Sequence, residues 1–136
     1  SFLMTMSDMK TIVENNLPIK IAIMNDNRQM MVNVWEKLFF EERYTATINK
    51  RNPSFANVAE AFGIKGFICL DAVKLDEITK EFLNYPGPAL CEYKVEPEIC
   101  LPLVGPGKAL DEMIMFDDFH CEENLKNKID KNAIPS

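Results

Sequence analysis

The sequence is poor in the residues that build metal centres and disulfide frameworks. It has one histidine, and its four cysteines include no CxxC pair, so their spacing fits neither a zinc ribbon nor a small disulfide scaffold. No stretch approaches the roughly 20 apolar residues that are needed to cross a bilayer. The first residues lack the basic and apolar regions of a secretory signal. We therefore expect a soluble protein that is not secreted, has no membrane partner and keeps its cysteines reduced and structural.

Positive charge is scarce as well. The chain has 15 lysines and arginines against 21 aspartates and glutamates, which gives a formal net charge of -6. Near the C-terminus, Lys126, Lys128 and Lys131 are interleaved with acidic residues. Proteins that bind nucleic acids need clustered lysines and arginines to contact phosphates. We therefore expect no nucleic-acid partner.

Hydrophobic periodicity predicts the order helix, strand, helix, helix, strand, helix, strand. The predicted helices cover 6–16, 30–40, 55–62 and 75–83, and the predicted strands cover 19–24, 66–70 and 89–95. Ser54 is the predicted N-cap of the third helix, and Gly63 is predicted to end it. Because helices separate the strands, we expect parallel pairing in a layered α/β domain.

The composition predicts one domain over residues 1–115 and a charged, disordered tail over 116–136. Residues 96–108 are rich in proline and glycine, which favours a loop. Three strands make a thin sheet for such a domain, so we expect that upstream strands are missing. In the tail, His120 and its acidic neighbours could be interpreted as a metal cluster, but a segment without structure cannot fix such ligands. A solvated tail is the favoured interpretation.

The loop after the first strand is the main candidate for a functional site. In open α/β sheets, ligands bind where the carboxyl ends of strands lead into helices. Residues 25–29, Asn-Asp-Asn-Arg-Gln, offer the oxygen ligands that Mg²⁺ prefers. They also precede the N-terminus of a helix, which favours a phosphate group. The same residues are common in turns and helix caps, so the loop alone leaves both interpretations open.

Five longer segments resemble the large catalytic subunit of acetolactate synthase (acetohydroxyacid synthase), within its C-terminal domain. They are Pro-Ile-Lys-Ile-Ala-Ile-Met-Asn at 18–25, Gln-Met-Met-Val-Asn-Val-Trp at 29–35, Leu-Phe-Phe-Glu-Glu-Arg-Tyr-Thr-Ala-Thr at 38–47, Asn-Pro-Ser-Phe-Ala-Asn-Val-Ala-Glu-Ala-Phe-Gly at 52–63 and Leu-Pro-Leu-Val-Gly-Pro-Gly-Lys-Ala-Leu-Asp-Glu-Met at 101–113. The resemblance runs in order from residue 1 to about 114. It implies a three-layer αβα fold with a mostly parallel sheet, incomplete at its N-terminus, which binds thiamine diphosphate and Mg²⁺.

The resemblance also implies roles for residues of the loop. Thiamine-diphosphate enzymes carry a Gly-Asp-Gly and, further along the chain, an Asn-Asn. Asp26 matches the second asparagine, whose side chain ligates Mg²⁺, and Arg28 matches a residue that offers its backbone carbonyl to the metal. The residues that match those around the diphosphate and the thiazolium ring are Ser1, Gln29, Met30 and Met31.

A substrate channel is the second implied feature. Met31, Trp35 and Phe39 match residues that line it, and Pro106 and Gly107 match a loop that closes over it. On periodicity alone, the first three residues would be interpreted as part of the core, because they share one face of a helix. Aromatic residues near a cofactor cleft also suit a mostly apolar pocket.

Two positions depart from the family pattern. Asp26 replaces the usual asparagine, which keeps an oxygen ligand but adds a negative charge near the diphosphate. Met30 stands where relatives often have glycine, so the start of the helix is bulkier and its backbone is less open to close approach.

The implied activity is that of a thiamine-diphosphate-dependent carboligase. Pyruvate is decarboxylated, and the remaining two-carbon unit joins a second 2-ketoacid (pyruvate or 2-ketobutyrate) in the biosynthesis of valine, leucine and isoleucine. The full-length enzyme would be a homodimer or homotetramer with FAD in a middle domain, and a regulatory subunit is possible. The bacterial cytoplasm and a plastid both fit.

The group that activates the cofactor in this family is a glutamate from the N-terminal domain of a partner subunit. We therefore expect no catalytic residue in this segment, and no activity from it alone. The alternatives are another thiamine-diphosphate enzyme, such as glyoxylate carboligase or pyruvate oxidase, and a non-catalytic α/β module.

Overall fold

The computed structural model describes residues 1–115. Its helices are α1 (Phe2–Thr5), α2 (Asp8–Glu14), α3 (Met30–Phe39), α4 (Phe55–Ala61) and α5 (Leu75–Asn84), and its strands are β1 (Lys20–Asn25), β2 (Lys65–Cys69), β3 (Ala89–Lys94), β4 (Leu103–Val104) and β5 (Met113–Ile114). The predicted order of four helices and three strands is confirmed by α2, β1, α3, α4, β2, α5 and β3, whereas α1, β4 and β5 were not predicted. The predicted tail at 116–136, with His120 and Cys121, lies outside the described residues.

The main sheet has three parallel strands in the order β1-β3-β2. The central strand, β3, is buried at its first five positions, Ala89 to Tyr93. Parallel strands covered on both faces are apolar along most of their length, which explains the run Ala-Leu-Cys that begins β3. The predicted α/β fold with a parallel sheet is confirmed.

Each face of the sheet packs against its own helices. On one face, Leu90 of β3 lies in a core with Met9 and Ile12 of α2 and Phe55 and Ala59 of α4. On the other face, the core residues are Cys69, Phe82, Ala89, Cys91 and Tyr93, of which Phe82 belongs to α5. Successive residues of β3 therefore serve opposite cores, as a pleated strand between two helical layers requires.

Helix α4 begins and ends as the sequence predicts. The Ser54 hydroxyl accepts a hydrogen bond from the Asn57 N–H over 3.3 Å, and Gly63 follows the helix with a φ of +87°. Gly66 in β2 is required for a different reason, because a Cβ there would lie 2.7 Å from the backbone oxygen of Ala56. The sheet and α4 therefore approach each other at a position where only glycine fits.

The chain divides into two compact units. The first comprises Ser1–Asn27 and Lys50–Glu96, and contains the parallel sheet with α1, α2, α4 and α5. The second begins with Arg28–Asn49, which contains α3, and resumes at Pro97. In the part of the chain that is described, no helix has the length and apolar character to cross a membrane.

The loop predicted over 96–108 contains one strand that the sequence did not predict. Leu103 and Val104 form β4, which pairs antiparallel with Met113 and Ile114 of β5. Strands of two residues are too short to show the alternation by which a strand is identified. This part of the loop prediction was therefore wrong.

Candidate functional site

Asn25, the last residue of β1, is buried and uses both ends of its amide group. Its Nδ2 donates to Glu92 Oε1 over 2.7 Å, and its Oδ1 accepts from the backbone N–H of Asn27 over 3.0 Å. A carboxylate can only accept and a backbone N–H can only donate, so these two partners fix the orientation of the Asn25 amide. The buried Asn25 side chain therefore holds the backbone of the loop at Asn27.

Glu92 lies in the middle of the buried face of the central strand and is 9% exposed. Its second oxygen, Oε2, accepts from the backbone N–H groups of Phe55 over 2.8 Å and Ala56 over 3.4 Å. These are the first residues of α4, whose N-terminus favours a negative charge. One carboxylate thus joins the end of β1 to the start of α4.

The turn from Asn25 to Asn27 is closed by a third asparagine. Asn27 has a φ of +58°, in the left-handed region that asparagine adopts more readily than most residues. Asn52 Nδ2 donates to Asn27 Oδ1 over 3.1 Å and lies 3.5 Å from Asn25 Oδ1. Asp26, the middle residue of this turn, is partly exposed.

The oxygen atoms of this turn fit a magnesium ion better than a zinc ion. Within residues 1–115, no group of three His, Cys, Asp or Glu side chains could hold a metal. Mg²⁺ in proteins is commonly bound by one or two carboxylates, with phosphate oxygens and water as the other ligands. The Asp26 carboxylate, with backbone carbonyls and a diphosphate, would satisfy that pattern.

Arg28 and Gln29 are the first two residues of the second unit. Arg28 Nη1 donates to Asn33 Oδ1 over 2.8 Å, and the Gln29 N–H donates to the backbone oxygen of Thr47 over 2.8 Å. The Arg28 backbone also bridges to Ile48. A guanidinium group has no acceptor atom and cannot ligate a metal cation, so any metal contact from Arg28 would come through its backbone carbonyl, as the resemblance implies.

A second buried carboxylate, Glu36, lies on α3. Its Oε2 accepts from the Thr47 hydroxyl over 2.5 Å, and its Oε1 accepts from the Thr45 N–H over 2.8 Å. Thr47 Oγ1 in turn accepts from Asn33 Nδ2 over 2.9 Å. This network connects α3 with the segment whose backbone holds Gln29.

Sequence reasoning missed Asn33, Glu36, Thr47 and Glu92. The signal available for Glu92 was a single acid inside the otherwise apolar start of a strand, since a buried acid needs partners. For Asn33 and Glu36 the signal was two polar residues one turn apart, flanking the apolar stripe of α3.

The apolar stripe of α3 is divided between the core and the surface. Val34 and Leu38 are each 3% exposed, whereas Met31 is 82% exposed. Trp35 and Phe39 are partly exposed and contact each other edge to face, with ring centroids 5.3 Å apart. Met31, Trp35 and Phe39 therefore do not form a buried core, and their predicted role in a channel stays a prediction.

The remaining predicted residues lie in separate places. Ser1 precedes α1 and is exposed, and it belongs to the first unit. Met30 is the first residue of α3 and is partly exposed. Pro106 is partly buried, and Gly107 is exposed with a φ of +70°. Their predicted roles stay predictions.

The buried cysteines show no sign of a reactive site. Cys69 and Cys91 are free and buried, while Cys100 is free and exposed. Burial raises the pKa of the Cys91 thiol above the ordinary value of 9.0, and burial also raises the pKa of Tyr93. Tyr93 shares a hydrogen bond of 3.1 Å with Thr79. A raised thiol pKa disfavours the thiolate, so Cys91 is suited to packing.

Comparison with known sequences gives the class of protein. Residues 1–93 match the family described as the C-terminal TPP binding domain of thiamine pyrophosphate enzymes. This match covers β1, β2, most of β3 and the loop between β1 and α3. The chain belongs to this family of thiamine-diphosphate-binding domains.

Several relatives with similar sequences are named acetolactate synthases. The mitochondrial catalytic subunit of Saccharomyces cerevisiae is 42% identical over 118 residues, which are 86% of this chain and 17% of the relative. The large subunit of Porphyra purpurea is 41% identical over 116 residues, covering 84% and 20% of the two chains. The isozyme 2 large subunit of Escherichia coli is 36% identical over 115 residues, covering 84% and 21%. The chain thus spans about a fifth of the length of these relatives.

Proposed function

We propose that this chain is the segment of an acetolactate synthase that binds the diphosphate end of thiamine diphosphate through Mg²⁺. The observation that carries the proposal is the similarity to named acetolactate synthase subunits along 84–86% of the chain. The activity would be decarboxylation of pyruvate and transfer of the two-carbon unit to pyruvate or 2-ketobutyrate. The cofactor supplies the electron sink for this chemistry, and the protein binds and orients it.

In this proposal Asp26 binds the metal with its side chain, and Arg28 does so with its backbone carbonyl. The hydrogen bonds of Asn25 and Asn27 support the first role, because they hold the backbone on both sides of Asp26. The bond from the Gln29 N–H to Thr47 supports the second role, because it holds the residue after Arg28. The residues proposed to lie beside the cofactor are Ser1, Gln29, Met30 and Met31.

The substrate channel is proposed to lie along the accessible stripe of α3. Met31 is exposed, and Trp35 and Phe39 are partly exposed, so together they offer apolar and aromatic surface to a substrate. Pro106 and Gly107 are proposed to close over that channel, and the exposed Gly107 has the backbone freedom that a closing loop needs.

Partners beyond the substrates belong to the whole enzyme. Two of the relatives are named large subunits and one is named a catalytic subunit, which supports a second, regulatory subunit. We further propose a homodimer or homotetramer, with FAD bound by a part of the enzyme that this chain does not contain. The Saccharomyces cerevisiae relative is mitochondrial by name, so a mitochondrial location joins the bacterial cytoplasm and the plastid as possibilities.

A chimeric enzyme tests the proposed activity. Residues 1–115 of this chain would replace the matching segment of the Saccharomyces cerevisiae catalytic subunit, and acetolactate would be measured from pyruvate. The chimera should be active and Mg²⁺-dependent, and Asp26→Ala in the chimera should abolish most of that activity. Asp76→Ala, on the exposed start of α5, is the matched control and should leave it unchanged.

Two outcomes would contradict the proposal. A folded chimera that binds thiamine diphosphate but forms no acetolactate would favour another enzyme of the class. Full activity in the Asp26→Ala variant would remove Asp26 from the metal site.

A further inference from the structure

Glu92 is a buried carboxylate to which the proposed function gives no role. It is 9% exposed and lies within the sheet, so a substrate or cofactor has little access to it. Burying a carboxylate is costly unless hydrogen bonds compensate, and here three donors do so. Two of these donors are backbone groups of α4, and the third is the side chain of Asn25.

The bond to Asn25 decides which end of that amide faces the loop. Since Glu92 can only accept, it takes the Nδ2 end and leaves Oδ1 facing the Asn27 N–H. Reversing the amide would place Nδ2 against that N–H and Oδ1 against a carboxylate, so both bonds would be lost. The Asn25–Asn27 turn therefore keeps its shape because the Glu92 carboxylate offers only hydrogen-bond acceptors to the Asn25 amide.

We infer that Glu92 is a positioning residue, which fixes the Asn25 amide and thereby the backbone that presents Asp26. The inference on metal binding rests on the proposed function, while the inference on the turn rests on the hydrogen bonds alone. Groups that orient a metal-binding residue typically change metal affinity by about 10–100-fold when they are replaced.

Glu92→Gln is the sharpest variant, because it keeps the size of the side chain and removes one acceptor. Whichever way the introduced amide turns, its NH₂ faces either Asn25 Nδ2 or the Phe55 N–H, so one pair of donors is left opposed. In Asn25→Asp, the introduced carboxylate faces the carboxylate of Glu92, so two acceptors are left opposed. In the double variant Glu92→Gln, Asn25→Asp, the introduced glutamine donates to the introduced aspartate and can still accept from Phe55.

The experiment uses the full chain and measures the affinity for thiamine diphosphate in the presence of Mg²⁺. Glu92→Gln should weaken binding by about tenfold or more, and the double variant should recover most of that loss. Glu81→Gln, an exposed acid on α5, is the matched control and should bind like the unmodified chain. A loss of affinity caused by altered packing alone would not be rescued by exchanging donor and acceptor.

Nuclear magnetic resonance separates failure of this inference from failure of the proposed function. The Asn25 NH₂ protons should exchange slowly with water in the unmodified chain and rapidly in Glu92→Gln. If the chain binds no thiamine diphosphate but this protection is present, the proposed function fails and the fixed turn stands. Unchanged affinity in Glu92→Gln, or a double variant that binds no better than Glu92→Gln, would overturn the inference.

Discussion

Two buried carboxylates hold the two sides of the candidate loop, and they reach it in different ways. Glu92 lies on the central strand, 67 positions from Asn25, so its contact exists only when the sheet has formed. Glu36 lies on α3, 11 positions from Thr47, so its contacts close a short stretch of chain. Closing a short loop costs less conformational entropy than closing a long one. The comparison indicates that the Asp26 side of the loop depends on the whole first unit, whereas the Arg28 side depends on a local structure.

The largest expected effect is that of removing the strand-borne carboxylate. Glu92→Ala leaves Asn25 Nδ2 and the first two N–H groups of α4 without their acceptor inside the fold. Each such buried group costs about 1–3 kcal/mol, so we expect the free energy of unfolding to fall by about 4 kcal/mol. Urea denaturation would measure this, with Glu81→Ala as the exposed control. A loss below about 1 kcal/mol would mean that water replaces Glu92 without difficulty.

Removing the helix-borne carboxylate should cost less. Glu36→Ala leaves the buried Thr47 hydroxyl without an acceptor, whereas water can bond the N–H of the exposed Thr45, so we expect a loss of about 2 kcal/mol in the same assay. Glu41→Ala, on an exposed residue after α3, is the control. Hydrogen exchange should show the increased opening confined to α3 and residues 45–48. If protection of the parallel sheet fell equally, the local character of this network would be refuted.

The elements around both carboxylates were largely predictable from the sequence, but the carboxylates themselves were not. Ser54, Gly63 and the apolar stripe of α3 obey local rules of capping and periodicity, and the structure confirms the elements they predict. Glu92 and Glu36 are polar, so a pattern that assigns polar residues to the surface places them wrongly. Their partners lie on other elements, and a single sequence does not reveal which elements meet.

The stripe of α3 shows a related limit of periodicity. Spacing places Met31, Val34, Trp35 and Leu38 on adjacent parts of one helix surface, but it does not say how much of that surface is covered. The structure covers Val34 and Leu38 and leaves Met31 exposed. The resemblance to acetolactate synthases implies that Met31, Trp35 and Phe39 line a channel, and that role stays a prediction.

A smaller effect should come from pH, through groups of the first unit that belong to neither network. Burial raises the pKa of Cys91 and of Tyr93 above their ordinary values of 9.0 and 10.0. As the pH rises above 9.0 for Cys91 and above 10.0 for Tyr93, the unfolded chain therefore loses these protons while the folded chain keeps them. The free energy of unfolding should fall as pH rises through this window, by at most about 1.4 kcal/mol per pH unit for each group.

Tyr93→Phe checks the cause of that slope. The variant keeps the ring in the core and removes one titrating group, so the decline above pH 10 should become shallower. An unchanged slope in both Tyr93→Phe and Cys91→Ala would assign the alkaline loss of stability to other groups.

The smallest effect on stability is expected at the exposed end of the stripe. Met31→Ala removes a side chain that is 82% exposed, so the free energy of unfolding should change by less than about 0.5 kcal/mol. Leu38→Ala, on the buried part of the same helix, should cost about 3 kcal/mol. In the chimeric enzyme, Met31→Ala should nevertheless raise the KM for pyruvate. A large loss of stability from Met31→Ala would place this residue in a core that residues 1–115 do not show.

The central claim is that the turn carrying Asp26 binds Mg²⁺ together with thiamine diphosphate. Isothermal titration calorimetry of thiamine diphosphate into the full chain, with Mg²⁺ and then with EDTA, tests it most directly. We predict binding that requires Mg²⁺, weakens by about tenfold or more in Asp26→Ala and is unchanged in Asp76→Ala. Binding that is the same in EDTA or in Asp26→Ala, or no binding at all, would contradict the claim.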